Sequence, residues 1–188
     1  TPEELQRLIQ QHLNKDIFEQ LPVWQQNIWS FLAAWVNENN QLFEINTSGS
    51  TGTPKTIAHK RTAMIASAQR TCDFFSLQEN DTALLALPVT HIGGRMMLVR
   101  SRIRKLRLIC VEPKVNPLLG FSSTIKIDFA AFTPMQLFRI LEDDDTAASL
   151  ENFQTIILGG GEISELLKTK IQTIAASVYE TYGMTETV

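Results

Sequence analysis

The feature of this 188-residue chain that most constrains its fold is the alternation of short apolar runs with helical segments after residue 80. The apolar runs predict strands at 83–87, 106–111, 128–132, 154–158 and 177–180. Apolar residues at helical spacing predict helices between them at 92–100, 134–141 and 164–175. Strands that alternate with helices usually form a parallel sheet with helices on both faces. We therefore expect an α/β fold, layered α/β/α, with a mostly parallel sheet.

The residues before this alternation have a different pattern. Helical spacing of apolar residues predicts two N-terminal helices, the second of which opens at Pro22 and runs through Trp35. A short strand at 42–45, a polar loop at 46–55 and a helix at 61–75 are predicted to follow. The change of pattern divides the chain into N-terminal helices at 1–41 and an α/β portion at 42–188.

Composition excludes several classes of protein. The 17 basic and 20 acidic side chains give a net charge of −3, which argues against a protein that coats nucleic acid. The two cysteines, Cys72 and Cys110, both lie in apolar runs, so neither a disulfide framework nor a cysteine-based zinc site is expected. No membrane span or signal peptide is recognisable, so we expect a cytoplasmic protein. The basic run at 100–107 is interpreted as a solvated or phosphate-contacting face, and the acidic run at 143–145 as a solvated loop.

A loop rich in hydroxyls and glycines follows the first predicted strand. Its sequence is Thr47-Ser48-Gly49-Ser50-Thr51-Gly52-Thr53-Pro54-Lys55. Glycines let backbone amides approach a phosphate, hydroxyls donate hydrogen bonds, and a lysine adds a mobile positive charge. A Walker A loop requires glycine directly before the lysine, and Pro54 stands there instead. The composition favours phosphate binding over an ordinary surface turn.

Two further loops follow predicted strands near the end of the chain. Gly159-Gly160-Gly161-Glu162 precedes a helix, and a dinucleotide fingerprint or a tight turn with positive φ would each explain it. The fingerprint is incomplete, because Ser164 stands where the third glycine belongs, although Glu180 is suitably spaced to hold a ribose. Tyr182-Gly183-Met184-Thr185-Glu186 combines an aromatic ring, a hydroxyl and a carboxylate, which suits base stacking, a phosphate contact and a cation, or an ordinary turn.

The three loops in this order resemble the motifs of the adenylate-forming superfamily, which includes acyl-CoA synthetases, luciferases and peptide-synthetase adenylation domains. The resemblance extends over residues 42–188 and implies that this portion binds ATP and an acyl substrate. It also implies Mg²⁺ and activation of a carboxylate as its acyl-adenylate, followed by transfer to a thiol such as coenzyme A. The small C-terminal domain of the superfamily is absent from these residues, so we expect this chain alone to turn over little.

The resemblance also implies roles for individual residues. Lys55 would neutralise the β- and γ-phosphates, Tyr182 would stack on adenine, and Thr185 would contact the α-phosphate. Glu186 would hold Mg²⁺. The remaining ATP-binding positions implied by the resemblance are Thr47, Ser48, Gly49, Ser50, Thr51, Gly52, Gly159, Gly160, Gly161, Glu162 and Gly183. The implied catalytic set is Lys55, His91, Thr185 and Glu186.

The segment at 87–100 bears on the acid substrate. A lone histidine beside an apolar helix is usually structural, but the position of His91 after Leu87-Pro88 resembles that of a superfamily histidine beside the reacting carboxylate. The spacing from His91 to Arg100 is similar to that of o-succinylbenzoate–CoA ligases of menaquinone biosynthesis, in which a basic residue helps bind the second carboxylate. Thr133–Leu137 also resembles a segment of these ligases. Gly93 and Gly94 would leave room for an aromatic ring, and Gly160 would line the same acyl pocket.

The resemblance thus implies an acid–thiol ligase that uses ATP, coenzyme A and an aromatic dicarboxylate as small-molecule substrates. Nucleic acid is not an expected partner, and a homodimer remains open. Activation of another aryl or short-chain acid is an alternative. An NAD-dependent oxidoreductase, or a nucleotide-binding module without catalysis, would explain fewer of the loops.

Overall fold

The structure is a computed structural model that describes residue 7 and residues 15–46, 55–121 and 124–183. The helices within these ranges are α1 (Lys15–Phe18), α2 (Val23–Val36), α3 (Arg61–Phe74), α4 (Ile92–Arg104), α5 (Pro134–Ile140), α6 (Asp144–Ser149) and α7 (Glu165–Ile171). The strands are β1 (Leu42–Asn46), β2 (Thr56–Lys60), β3 (Thr82–Leu85), β4 (Arg107–Cys110), β5 (Ile127–Phe132), β6 (Phe153–Leu158) and β7 (Ser177–Glu180).

Five of these strands form one sheet in the order β4-β3-β5-β6-β7, and every neighbouring pair is parallel. The inner strand β3 is buried along its whole length, as expected of a strand whose two faces are both covered. Leu84 pairs with Ile109 on one side and with Ala130 on the other. The predicted α/β class and mostly parallel sheet are confirmed.

Helices cover both faces of the sheet. Successive side chains of a strand point to opposite faces, so Leu85 and Phe129 pack into one buried cluster and Leu84 and Ala130 into the other. The first cluster includes side chains of α2, α3 and α4, and the second includes side chains of α5 and α7. The layered α/β/α arrangement is therefore confirmed.

The strand β2 is absent from our sequence prediction. It pairs antiparallel with β1 in a separate two-stranded sheet, where Phe43 lies opposite His59. Its short, mostly polar sequence lacks the apolar run that marks the other strands. The ring of Phe43 packs against Phe31 and Trp35 of α2, so this hairpin shares a core with the N-terminal helix.

Several element boundaries also differ from the prediction. Helix α4 continues one turn beyond residue 100 and ends where Lys105 adopts a left-handed conformation. The predicted loop at 143–145 is wrong, because Asp143 caps α6 by accepting a hydrogen bond from the Thr146 amide at 2.9 Å. Acidic residues in a first helical turn are favoured by the helix dipole, a signal that our loop interpretation ignored. Within the described part of the chain, none of the helices has the length and apolar character required to cross a membrane.

Candidate functional site

The carboxyl ends of the parallel strands meet at one edge of the five-stranded sheet. The segment containing His91 follows β3, Thr133 follows β5, the Gly159–Gly161 turn follows β6 and Tyr182 follows β7. Ligands of open α/β sheets bind at this edge. The topology thus brings the Gly159–Gly161 turn, Tyr182 and the His91 segment to the same side of the molecule.

The loops after β6 and β7 are in direct contact. The Thr181 amide and hydroxyl both donate to the Leu158 carbonyl at 2.8 Å. A Cβ added to Gly159 would lie 3.0 Å from the Thr181 hydroxyl, so only glycine allows this approach without a shift. Tyr182, the next residue, is 89% exposed, which gives a ligand access to its ring.

The glycine turn itself contains one left-handed residue, Gly160, at φ 80°. This agrees with the tight-turn explanation of the motif. The next helix, α7, begins only at Glu165, and Ser164 caps it by accepting from the Leu167 amide at 3.2 Å. In a dinucleotide fingerprint the glycines open the helix and its amino terminus receives the pyrophosphate, so this geometry does not support that alternative.

His91 stands at the amino terminus of α4, on a turn folded back against that helix. Its amide donates to the Pro88 carbonyl at 3.1 Å, and its Nδ1 lies 3.1 Å from the Thr90 hydroxyl. The imidazole is exposed. As the N-cap residue of α4, His91 directly precedes the unpaired amides of the first helical turn, which carry a partial positive charge.

Of the two glycines of α4, Gly94 is explained by the chain's own packing, whereas Gly93 faces only a movable side chain. A Cβ on Gly94 would lie 2.4 Å from the Pro88 carbonyl oxygen, and one on Gly93 would lie 3.1 Å from Leu87 Cδ1. From the sequence we expect both positions to leave room for an aromatic ring of the substrate. At Gly94 the Pro88 main chain already occupies that space, so glycine is required there by the turn that carries His91.

Gln136 links three segments of the sheet edge, which sequence analysis did not foresee. Its Nε2 donates to the carbonyls of Ala86 and Lys114 at 2.9 and 3.1 Å, and its Oε1 accepts from the Thr133 amide at 3.0 Å. Thr133 in turn accepts from the Gln136 amide, which completes a capping box at the start of α5. The Thr-Pro-x-Gln pattern is the sequence signal for this cap, whereas the long-range bonds have none.

Arg100 lies where α4 packs against α3. Its NH1 donates weakly to Met97 Sδ at 3.7 Å, and its buried Nε has no hydrogen-bond partner among the described residues. Burial lowers the pKa of Arg100 to about 10, and the nearby Cys72 thiol offsets this in part. A mostly buried cation with an incomplete set of partners is unfavourable unless an anion joins it.

Three of the neighbouring basic residues of the 100–107 run have partners on the protein. Arg104 pairs with Asp73, Lys105 pairs with Glu79 at 3.1 Å, and Arg107 donates to a carbonyl at 2.9 Å. Part of the positive charge expected on a solvated face is thus matched within the chain.

Several residues of the candidate site lie outside the described residues. These are Thr47, Ser48, Gly49, Ser50, Thr51, Gly52, Thr185 and Glu186. Lys55 is described, is exposed and directly precedes β2. Within the described ranges, no group of three or more His, Cys, Asp or Glu side chains is arranged to hold a metal ion.

Comparisons with known proteins agree with the superfamily resemblance. A model of the AMP-binding enzyme family matches residues 4–188. A 2-succinylbenzoate–CoA ligase from Haemophilus influenzae is 31% identical over 74% of this chain and 30% of its own length. The chain therefore spans less than a third of this curated relative.

Two solved structures have the same fold. An acyl-CoA synthetase (AMP-forming)/AMP-acid ligase II-like protein from Dyadobacter fermentans has a TM-score of 0.80 and 37% identity, covering 86% of this chain and 46% of that chain. The o-succinylbenzoate coenzyme A synthetase of Bacillus subtilis, in complex with ATP and magnesium, has a TM-score of 0.64 and 26% identity. That match covers 76% of this chain and 30% of the synthetase.

Proposed function

Because the chain belongs to the family of AMP-binding enzymes, we propose that it forms the ATP- and acyl-binding portion of an adenylate-forming acid–CoA ligase. The observation that carries this proposal is the convergence of the His91 turn, the Gly159–Gly161 turn and Tyr182 at one edge of a parallel sheet. Residues 42–188 would bind the two substrates. Residues 1–41 would support them through the packing of α2 on the hairpin.

ATP would bind across the ends of β6 and β7. The exposed ring of Tyr182 offers a surface on which adenine can stack, and the contact between Gly159 and Thr181 keeps the two loops together. Lys55 and residues 47–52 would surround the phosphates. Thr185 would contact the α-phosphate and Glu186 would hold Mg²⁺, an ion that the B. subtilis synthetase structure contains together with ATP.

The reacting carboxylate would bind next to His91. When the Thr90 hydroxyl donates to Nδ1 of His91, the proton of the neutral imidazole is on Nε2, from which it can be donated to a carboxylate oxygen. The first turn of α4 adds a partial positive charge at the same place. These groups would orient the carboxylate for in-line attack on the α-phosphorus, and the enzyme's main task would be alignment and charge stabilisation.

We propose 2-succinylbenzoate, an aromatic dicarboxylate, as the acid. The relative from H. influenzae is named for this substrate. Arg100 supports the choice, because a mostly buried guanidinium whose Nε lacks a hydrogen-bond partner among the described residues can be satisfied by a second carboxylate. A monocarboxylic acid would leave that positive charge without an anion.

The test is pyrophosphate release by the full natural gene product, supplied with ATP, Mg²⁺ and one acid at a time. We expect 2-succinylbenzoate to exceed benzoate and fatty acids in kcat/KM. Faster turnover with a different acid would refute the assignment of 2-succinylbenzoate as substrate. No turnover with any acid would refute the proposed ligase activity. Coenzyme A is then added to the productive mixture, where formation of the thioester tests the second half-reaction.

Substitution of Arg100 tests the binding of the second carboxylate. Loss of one charged hydrogen bond costs about 1–3 kcal/mol, which corresponds to about a 5- to 150-fold rise in KM for the diacid. R100L should show this rise with little change in KM for ATP. The control is R102L, because side chains two positions apart do not share a helix face. Equal rises in KM for the diacid and for ATP would show that Arg100 does not bind the second carboxylate.

A further inference from the structure

The proposed site is built on two separate sheets, and among the described residues no strand of one sheet pairs with a strand of the other. The β1–β2 hairpin leads into and out of residues 47–55, while the five-stranded sheet carries the His91 turn. The phosphates and the carboxylate would therefore be held by separate sheets. In-line attack requires the two to be aligned within about 1 Å, so the relative placement of the sheets matters for catalysis.

Arg95 forms a direct link between these two parts. From the first turns of α4 its Nε donates to the Val89 carbonyl at 3.0 Å, within the turn that carries His91. Its NH1 donates to the Glu44 carbonyl in β1 at 2.6 Å. The guanidinium also lies over the Phe31 ring of α2, 5.5 Å from its centroid.

The chemistry of this link favours arginine over other residues. The two hydrogen-bonding nitrogens belong to one planar group, so Val89 and Glu44 are held in a fixed relation. Both acceptors are main-chain carbonyls, and the bonds therefore act on the backbone. A lysine presents a single ammonium nitrogen, so it cannot place two separate nitrogens against the two carbonyls as the forked guanidinium does.

We propose that Arg95 is a positioning residue that holds β1, the strand that precedes residues 47–55, against the turn that carries His91. The inference rests on the proposed function for its catalytic consequence, and on the described contacts for the link itself. Arg95 acts through the backbone of the two segments.

A matched control is provided by Arg61, at the start of α3. Its guanidinium donates to the carbonyls of Trp35, Asn37 and Asn40 at 2.7–2.9 Å and lies over the Trp35 ring. Arg61 therefore makes the same kinds of contact as Arg95, mainly to the segment at 35–40. Its guanidinium also lies 5.4 Å from the centroid of the Phe43 ring in β1, so the segment at 88–92 is the one that distinguishes the two variants. Methionine at either position keeps an unbranched side chain and removes the fork.

The first measurement is hydrogen exchange by mass spectrometry, which does not depend on activity. R95M should increase exchange in both 42–46 and 88–92 by tenfold or more. R61M should increase exchange mainly in 35–41, with a smaller effect in 42–46 through Phe43, and should leave 88–92 unchanged. R95K should resemble R95M in the two linked segments. If residues 88–92 of R95M exchange as slowly as they do in the wild type, the inference is overturned.

The second measurement is the rate of adenylate formation by the full natural gene product. R95M should lower kcat by tenfold or more while KM for ATP and for the acid each change less than threefold, because each half of the site stays intact. R61M, whose free energy of unfolding is measured beside that of R95M, should keep kcat within threefold. An equal loss of kcat in R61M and R95M would refute the positioning role. A wild-type enzyme without adenylation activity would refute the proposed function instead, and exchange alone would then decide whether the link exists.

Discussion

Gly93 and Gly94, at the start of α4, should respond in opposite ways to the addition of one methyl group. At Gly94 the new Cβ would lie 2.4 Å from the Pro88 carbonyl oxygen and 2.6 Å from its carbon. Both atoms belong to the main chain, so no change of rotamer relieves the overlap. At Gly93 the nearest atom is Leu87 Cδ1 at 3.1 Å, the end of a flexible side chain.

The size of the effect follows from these distances. The Pro88 oxygen must move by about 0.6 Å, from 2.4 Å to the 3.0 Å below which real contacts essentially do not occur. Overpacking of this kind costs about 1–3 kcal/mol, and replacing a helical glycine by alanine returns about 0.5–1 kcal/mol. The difference between these ranges is about 0–2.5 kcal/mol, and we expect G94A to lower the free energy of unfolding by about 1 kcal/mol, near the middle of that range. G93A should be neutral or stabilise by up to about 1 kcal/mol.

Urea unfolding followed by tryptophan fluorescence measures both free energies, and an unchanged m value would show that the same cooperative transition is compared. Adenylate formation well below the unfolding temperature adds a second readout. The His91 amide is bonded to the Pro88 carbonyl, so a shift of the turn should displace His91 and lower kcat by more than tenfold in G94A only. Equal unfolding free energies for the two variants would refute the packing argument. Equal kcat values would show that the position of His91 does not affect the reaction.

Three further outcomes are expected from the described contacts. Q136E places a carboxylate oxygen against the Ala86 carbonyl and should destabilise the fold by about 1–3 kcal/mol at pH 7 and less at pH 5, as measured by urea unfolding. Burial raises the pKa of the Cys110 thiol to about 11, so thiolate is only about 0.1% of the thiol at pH 8, and alkylation should be about 100-fold slower in the native chain than in urea. Burial opposes ionisation of Asp128, but hydrogen bonds from Lys126 and a backbone amide outweigh it and hold the pKa of Asp128 below its ordinary value. The resulting stability is present above about pH 4 and is lost as the pH falls through the folded-state pKa, so D128N should lose less stability than wild type between pH 5 and pH 2.

The inner strands β3, β5 and β6 could be predicted from sequence because they are almost wholly buried and consist mostly of apolar residues. The edge strands β4 and β7 are partly exposed and give a weaker signal. In β3 all four residues are buried, and the predicted segment at 83–87 overlaps the observed one. The strand β2 was missed because one face of the hairpin is exposed and its residues are short or polar. Its stability comes from partners distant in sequence, such as the Phe31 and Trp35 rings that pack against Phe43 in β1.

The candidate site could be predicted at the level of motifs but not of contacts. The glycine turn and Tyr182 are local patterns, and the topology of a parallel sheet places both at the same edge. The bonds of Gln136 to Ala86 and of Arg95 to Glu44 join residues about 50 positions apart, and no periodicity reports them. The requirement for glycine at position 94 could not be predicted either, because it depends on the close approach of a main-chain carbonyl of the preceding turn.

The most direct test of the account is photolabelling with 8-azido-ATP and Mg²⁺, followed by peptide mapping of the labelled residues. We predict that the label attaches within 159–162 and 180–183, around Gly160 and Tyr182, and that excess ATP displaces it while NAD does not. Labelling confined to other segments, or equal displacement by NAD, would contradict the assignment of this sheet edge to adenine.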